Sequence, residues 1–203
     1  MAEAARQPYL SVKQYLASEA EWPTRREYVD GQVYDMAGAS MGHTRIVRNL
    51  SRRLDVHLER SNCEVSTNDL KVKIRETAYY YPDLVVTCES LPDNAFLCEK
   101  PLLVVEVLSP TTARMDRIEK MNAYQHLPGL REYAIISQDR MRIEIYRHEQ
   151  AGETWQCEAY TEPEQELLFE SVGATVKLAD IYRRVRFAAS PEQEEQEEEQ
   201  TNV

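Results

Sequence analysis

Two carboxylates in apolar surroundings are the residues of this chain best suited to chemistry. Glu106 interrupts the most apolar stretch of the sequence, residues 102–108, and Asp83 precedes another apolar run, residues 84–86. A charged carboxylate inside an apolar strand is costly unless Arg, Lys or a metal ion accompanies it. Two carboxylates on adjacent strands can converge on one hard cation, because Mg²⁺ prefers oxygen ligands. The alternatives are structural: Glu106 reaches a solvated face or pairs with an arginine, and Asp83 is an acid at a strand end.

A lysine on the following segment is the third candidate. Lys120 lies in a helical pattern after the Glu106 strand, and Arg117, Lys120 and Tyr124 fall on related faces of that helix. A lysine there can reach back to the carboxylates, orient a water and stabilise negative charge on a phosphate. The alternative for Lys120 is a solvated helix lysine.

The elements that must position these residues follow from local patterns. Ser11 is a candidate cap for a short helix, and Asp30-Gly31 between two β-prone runs predicts a hairpin. Apolar residues at every third or fourth position predict a helix over 40–60, and residues 109–127 form a second helical segment that Pro128-Gly129 ends. The predicted strands cover residues 70–75, 79–87, 102–108, 133–136, 142–146, 155–160 and 174–178. This mixed order of helices and strands predicts an α/β sheet with at least one long helix on its face.

Composition limits the classes of protein to which the chain can belong. No long apolar run or secretory leader is present, which predicts a cytoplasmic protein with no membrane span. The four cysteines form no Cys-x-x-Cys pair, so we expect small buried residues rather than zinc ligands or structural disulfides. We expect a single domain over residues 1–187 and an acidic disordered tail over 188–203.

The net charge argues against binding nucleic acid through a global basic field. It is −11, and removing the six carboxylates of residues 192–199 leaves −5. Any affinity for DNA would therefore depend on a local basic surface or on bound cations. Lys71 and Lys73, on a strand with alternating apolar residues, are either nucleic-acid contacts or part of an exposed strand face.

Taken jointly, several segments resemble the Uma2 family. They are residues 81–86 (YPDLVV), 103–112 (LVVEVLSPTT), 116–120 (DRIEK) and 130–133 (LREY), with further matches at 28–31 (YVDG), 42–43 (GH) and 69–72 (DLKV). The resemblance covers roughly residues 27–182. That family belongs to the PD-(D/E)XK superfamily, so the resemblance implies a restriction-endonuclease-like fold, with a central mixed β-sheet flanked by helices and an N-terminal helix and hairpin.

The resemblance also implies a phosphodiesterase site that uses Mg²⁺ or Mn²⁺. Asp83 and Glu106 would be metal ligands, and the backbone carbonyl of Val107 could add another oxygen. The superfamily's lysine usually lies two residues after the glutamate, where this chain has Leu108, so Lys120 is the expected substitute. Glu27 is a candidate third acid at the rim or an exposed strand residue. His43 is a candidate phosphate ligand, proton shuttle or local cap.

Three hypotheses for function follow. The first is a Mg²⁺-dependent endonuclease acting on DNA through metal-activated water, and by analogy with other nucleases we expect a homodimer. The second is a catalytically inactive nuclease fold kept for binding or regulation, which the acidic charge and Leu108 favour. The third is a metal-dependent hydrolase of a small phosphoester. A Lys120 that points to solvent, or an Asp83 paired with arginine, would support the second hypothesis.

Overall fold

The computed structural model describes residues 9–19, 21–36, 38–108, 113–148 and 154–187. The predicted tail at 188–203 and the start of the second long helix at 109–112 lie outside this part of the chain. The described helices are α1 (Val12–Glu19), α2 (Met41–Leu58), α3 (Ala113–Gln125) and α4 (Leu178–Ile181). None of these four is long and apolar enough to cross a membrane.

The described strands form two large sheets and one small sheet. The strands are β1 (Arg26–Val29), β2 (Gln32–Asp35), β3 (Glu64–Thr67), β4 (Lys71–Arg75), β5 (Ala78–Tyr80), β6 (Leu84–Thr87), β7 (Leu97–Cys98), β8 (Pro101–Leu108), β9 (Glu132–Ser137), β10 (Ile143–His148), β11 (Trp155–Tyr160), β12 (Glu166–Phe169) and β13 (Ala174–Lys177). The six-stranded sheet has the order β11-β10-β9-β8-β6-β3, and the five-stranded sheet has the order β2-β1-β5-β4-β7. Strands β12 and β13 pair with each other.

Strand β8 lies inside the six-stranded sheet and is buried on both faces. It pairs in parallel with β9 and antiparallel with β6, so the sheet is mixed. Leu103, Val105 and Val107 pack in one apolar cluster with the buried stripe of α2, whereas Val104 and Leu108 pack on the opposite face with Tyr124 of α3. Because side chains alternate along a strand, Glu106 shares the α3 face with Val104 and Leu108. The predicted mixed α/β sheet with flanking helices is therefore confirmed.

Local predictions of turns and caps are also confirmed. Asp30 and Gly31 have φ of +46° and +92°, as the tight hairpin between β1 and β2 requires. The helix predicted over 40–60 is α2, and the structure adds a cap that was not predicted: Ser40 accepts a hydrogen bond from the backbone N–H of His43 at 3.1 Å. At α1, Ser11 Oγ accepts a hydrogen bond from the N–H of Gln14 at 3.4 Å.

The single strand predicted over residues 79–87 is wrong, since the structure divides this segment between the two large sheets. Strand β5 ends at Tyr80 in the five-stranded sheet, and β6 begins at Leu84 in the six-stranded sheet. Pro82 has no N–H to donate, so the ladder does not continue through it. The chain therefore changes sheets over three residues, and Asp83 lies at the junction.

The expectation that the cysteines form no structural disulfide is wrong for one pair. Cys63 and Cys88 form a disulfide, while Cys98 is a buried free thiol and Cys157 an exposed one. The antiparallel register of β3 and β6 pairs Glu64 with Thr87, so the two cysteines just beyond those residues face each other. The strand β3 was not predicted, and its cross-strand partner was therefore not visible in the sequence.

Lys71 does not lie on an exposed strand face. Its side chain is buried, and its Nζ lies 3.9 Å from Oε2 of Glu19 and 4.8 Å from the centre of the Tyr15 ring. Burial lowers the pKa of this amine. The interpretation of Lys71 as an exposed nucleic-acid contact is wrong because α1 covers this side of β4.

Candidate active site

Asp83 is held at the junction between the sheets by contacts to both of its carboxylate oxygens. Oδ2 accepts a hydrogen bond of 2.7 Å from the backbone N–H of Val107 on the neighbouring strand β8. Oδ1 lies 3.0 Å from Nε2 of His43, which is near the start of α2. These two contacts fix the carboxylate beside Glu106, the residue that precedes Val107, and the partner of Asp83 is a histidine rather than an arginine.

Glu106 points from β8 toward α3, where two side chains contact the same carboxylate oxygen. Oε1 accepts hydrogen bonds from the hydroxyl of Tyr124 at 2.9 Å and from Nζ of Lys120 at 3.2 Å. Burial is the largest influence on this carboxyl and raises its pKa to about 8, with Asp83 adding to the increase. The positive charge of Lys120 and the hydrogen bond from Tyr124 act in the opposite direction.

Lys120 lies between two carboxylates. Its Nζ is 2.8 Å from Oε1 of Glu27 and 3.2 Å from Oε1 of Glu106, and its side chain is only 12% exposed. The same oxygen of Glu27 accepts a 3.2 Å hydrogen bond from the N–H of Tyr81. The amine is therefore directed into the site and does not point to solvent.

The five side chains predicted for the site thus meet in two connected groups. His43 and Asp83 form one group, and Glu27, Lys120 and Glu106 form the other. The N–H of Val107 links them through Asp83. Glu27 contacts the lysine, and the cap of α2 is the side chain of Ser40, so the side chain of His43 is free for its contact with Asp83.

Two further contributors were not predicted. Tyr124 donates to Glu106, and the N–H of Tyr81 holds Glu27. The i,i+4 spacing of Lys120 and Tyr124 on one helix was the available signal for the first residue. No local signal marks the second, because the contact depends on the pairing of β1 with β5, where Tyr28 faces Tyr79.

The donor set fits a hard divalent cation. Within the described residues all hydrogen bonds to Glu106 go to Oε1, which leaves Oε2 available to an ion. No three His, Cys, Asp or Glu side chains in that part of the chain are grouped to hold a metal together. Among the described side chains, an ion here would be held by Asp83 and Glu106. That arrangement suits Mg²⁺, which commonly takes one or two carboxylates and completes its shell with waters and substrate phosphates.

Comparison with known proteins gives the same fold and one family. The profile of the Uma2 family, described as "Putative restriction endonuclease", matches residues 12–179. Two uncharacterized proteins of Synechocystis sp. are similar over most of their length. One is 36% identical over 182 residues, covering 89% of this chain and 95% of the relative. The other is 34% identical over 142 residues, covering 68% and 80%.

A solved structure from Anabaena variabilis, described as a putative nuclease of the DUF820 family, is also similar. Its TM-score is 0.68, and the match covers 85% of this chain and 97% of that one. At 16% identity this likeness concerns the fold alone. The restriction-endonuclease-like α/β fold expected from the sequence is therefore confirmed.

Proposed function

This chain belongs to the Uma2 family, and we propose that it is a Mg²⁺- or Mn²⁺-dependent endonuclease that hydrolyses DNA phosphodiester bonds. The observation that carries the proposal is the convergence of Asp83, Glu106 and Lys120 at the junction of two sheets. Two neighbouring carboxylates can hold a divalent ion, and a lysine of low exposure can stabilise negative charge on a phosphate, which are roles that metal-assisted phosphodiester hydrolysis uses.

The metal ion would be held by Asp83 and Glu106, with the carbonyl of Val107 as a further candidate ligand. When bound, such an ion supplies a more acidic water and positive charge beside the phosphate oxygens. The contact of His43 with Asp83 orients the first carboxylate, and the hydroxyl of Tyr124 orients the second.

Lys120 is the proposed partner of the attacking water. Its ammonium is held by Glu27 and Glu106, so it is aimed at the same point as the carboxylates before substrate arrives. From there it orients the water and stabilises negative charge on the phosphate. The contact with Glu27 supports this role, because it directs the helix lysine to where it can supply the amine that β8 lacks at Leu108.

Two alternatives stay open to test. The inactive-fold alternative would be favoured by a Lys120 in solvent or an Asp83 paired with arginine, and neither feature is present among the described residues. The small-phosphoester alternative shares the same acids and differs only in substrate. A homodimer, a cytoplasmic location and DNA as the substrate are further predictions.

The proposal is tested by titrating Mn²⁺ and Mg²⁺ into the wild type, Asp83→Asn and Glu106→Gln, with plasmid nicking measured on the same samples. Glu166→Gln on β12 is a matched control, because it removes one exposed carboxylate far from the site in sequence and sheet. We expect metal binding and nicking in the wild type and the control and neither in the site variants.

The same samples separate the alternatives. Metal binding without nicking, but with hydrolysis of a small phosphodiester, would favour the small-phosphoester hydrolase. Metal binding with neither activity would favour the inactive fold. If the wild type binds no divalent ion, the endonuclease proposal is wrong.

A further inference from the structure

A second charged feature lies away from the carboxylates, in a groove between α2 and the segment around α4. The groove has a volume of about 450 Å³. The polar side chains that line it include Asn49, Arg52, Arg53, His57, Asp180 and Arg183. Three arginines and a histidine thus face one concavity in a chain whose net charge is −11. The catalytic proposal uses none of these residues.

The floor of the groove is built from a buried polar side chain. The amide of Asn49, 7% exposed, donates hydrogen bonds of 2.9 Å to the carbonyls of Ile181 and Arg183. Nε2 of His57 lies 3.0 Å from the carbonyl of Val172. These contacts tie the chain around α4 to α2 and so fix the separation of the cationic side chains across the groove.

The arginines of the groove differ in whether a carboxylate already compensates their charge. Arg53 pairs with Asp180 at 2.9 Å, so that its charge is partly compensated. Arg52 and Arg183 are exposed and, within the described residues, form no ion pair. One comes from α2 and the other from the chain just after α4, so two uncompensated guanidinium groups from separate elements border the same groove.

We propose that this groove binds the phosphate backbone of nucleic acid, as an anchoring site outside the catalytic centre. Guanidinium groups match phosphate oxygens with two parallel hydrogen bonds, which makes arginine well suited to this ligand. This inference rests on the proposed endonuclease function, because an enzyme that cleaves DNA must also hold its phosphate backbone. It also supplies the local basic surface that an acidic nuclease needs to hold a polyanion.

The helix α2 connects the groove to the catalytic centre. His43 near its start contacts Asp83, and Arg52 and His57 lie nine and fourteen residues further along. At about 1.5 Å per residue these positions are about 14 Å and about 21 Å from His43 along the axis. With about 3.4 Å per base pair, that distance corresponds to about four to six base pairs. Since α2 packs on one face of the six-stranded sheet and Glu106 points to the other, the groove is an anchoring site on the α2 side, separate from the face that carries the acids.

The test measures binding apart from cleavage. A fluorescein-labelled DNA duplex of about 20 base pairs, longer than the span along α2, is titrated with full-length protein in EDTA and followed by fluorescence anisotropy. The groove variant is Arg52→Gln with Arg183→Gln. The control is Lys100→Gln with Arg131→Gln, which makes the same charge change at exposed positions before β8 and β9. Circular dichroism checks that all variants are folded.

We expect the groove variant to bind the duplex on the order of tenfold more weakly and to reduce the salt slope of log K by about two, one for each lost phosphate contact. We expect the control to bind within about twofold of the wild type, because its charges lie outside the groove. Equal losses in the two variants, or unchanged binding by the groove variant, would overturn the proposal.

The acidic tail is the rival occupant of the groove. A full-length version in which the six glutamates of residues 192–199 are changed to Gln is titrated in parallel. If the wild type binds no duplex and only this version binds it through Arg52 and Arg183, the ligand of the groove in the wild type is the acidic tail. The assignment of the groove to nucleic acid is then wrong.

Plasmid nicking distinguishes failure of this inference from failure of the proposed function. A wild type that nicks DNA, with a groove variant of unchanged KM, would overturn the anchoring site and leave the endonuclease intact. A wild type that binds duplex through the groove and never nicks it with Mg²⁺ or Mn²⁺ would overturn the endonuclease proposal and leave the anchoring site intact.

Discussion

The stability of the metal-free protein should depend on pH through Glu106, and replacing this residue by glutamine should remove that dependence. The buried carboxyl has a pKa of about 8 in the folded chain, against 4.5 for an ordinary glutamate. The folded state therefore keeps a proton that the unfolded state loses at a lower pH. Between these two values unfolding releases a proton, so the free energy of unfolding falls as the pH rises.

The size of this effect follows from the shift. Each pKa unit corresponds to about 1.36 kcal/mol, so the contribution of Glu106 between pH 4.5 and about 8 is at most about 5 kcal/mol. Stability from this residue is fully present below pH 4.5 and is lost by the time the pH passes 8. The Glu106→Gln variant keeps an oxygen that can accept from Tyr124 and Lys120, while Lys120 retains its pairing with Glu27.

The assay is urea unfolding in EDTA, followed by circular dichroism from about pH 5 to about pH 9, for the wild type, Glu106→Gln and the control Glu166→Gln. We expect the stability advantage of Glu106→Gln over the wild type to grow steadily with pH and to reach several kcal/mol above pH 8. The control should follow the wild type. A difference between Glu106→Gln and the wild type that is constant with pH would refute the reasoning, because it would mean that Glu106 ionises normally in the folded chain.

Two further predictions concern the contacts of Glu106, and a third concerns the disulfide. Tyr124→Phe removes a hydrogen bond that favours the charged carboxylate, so we expect the fall in stability to begin at the same pH and to continue to a higher pH in the same urea titrations. A fall that levels off at the wild-type pH would contradict this. Lys120→Met removes the cation that Glu27 and Glu106 share. Above pH 8 we expect the free energy of unfolding to fall by about 3 to 5 kcal/mol, together with loss of nicking. Nicking at the wild-type rate would show that Lys120 has no part in the mechanism. Replacing Cys63 and Cys88 by alanine opens a loop of sequence separation 25. Under oxidising conditions we expect the free energy of unfolding, measured by heat or urea, to fall by about 3 kcal/mol. Equal stability of the wild type before and after reduction would contradict this expectation.

Metal addition extends the first experiment. A cation held by Asp83 and Glu106 binds only the deprotonated carboxylate, so metal affinity should rise with pH through the pKa of Glu106 near 8. At a concentration of about 100 times its Kd, Mn²⁺ should stabilise the wild type by about 2.7 kcal/mol and leave Glu106→Gln unchanged.

Features set by neighbouring residues were readable from the sequence. The hairpin depends on Asp30-Gly31 at positive φ, the start of α2 depends on Ser40, and the burial of β8 on both faces depends on an apolar run that only Glu106 interrupts. Each of these is decided within a few residues, so composition and spacing carry the information. The unusual position of Glu106 was also readable from the sequence. The free-energy cost of burying a carboxylate in an apolar strand is evident without knowing which element packs over it.

The tertiary structure decided which partners meet. Whether the segment around Pro82 continues in one sheet or changes to another depends on competition between two ladders, and local propensity does not resolve that competition. Lys71 reads as an exposed strand residue until α1 is packed over it, and Cys63 has no visible partner until β3 pairs with β6.

The site follows the same division. The sequence determined that Asp83, Glu106 and Lys120 are unusual residues on consecutive elements, since alternation along a strand and the period of a helix are local properties. Only packing decided that α3 covers the Glu106 face of β8, that Glu27 arrives from the other sheet to hold Lys120, and that His43 meets Asp83. These contacts join residues far apart in sequence, and they exist because burying the apolar faces of both sheets brings their polar ends to one junction.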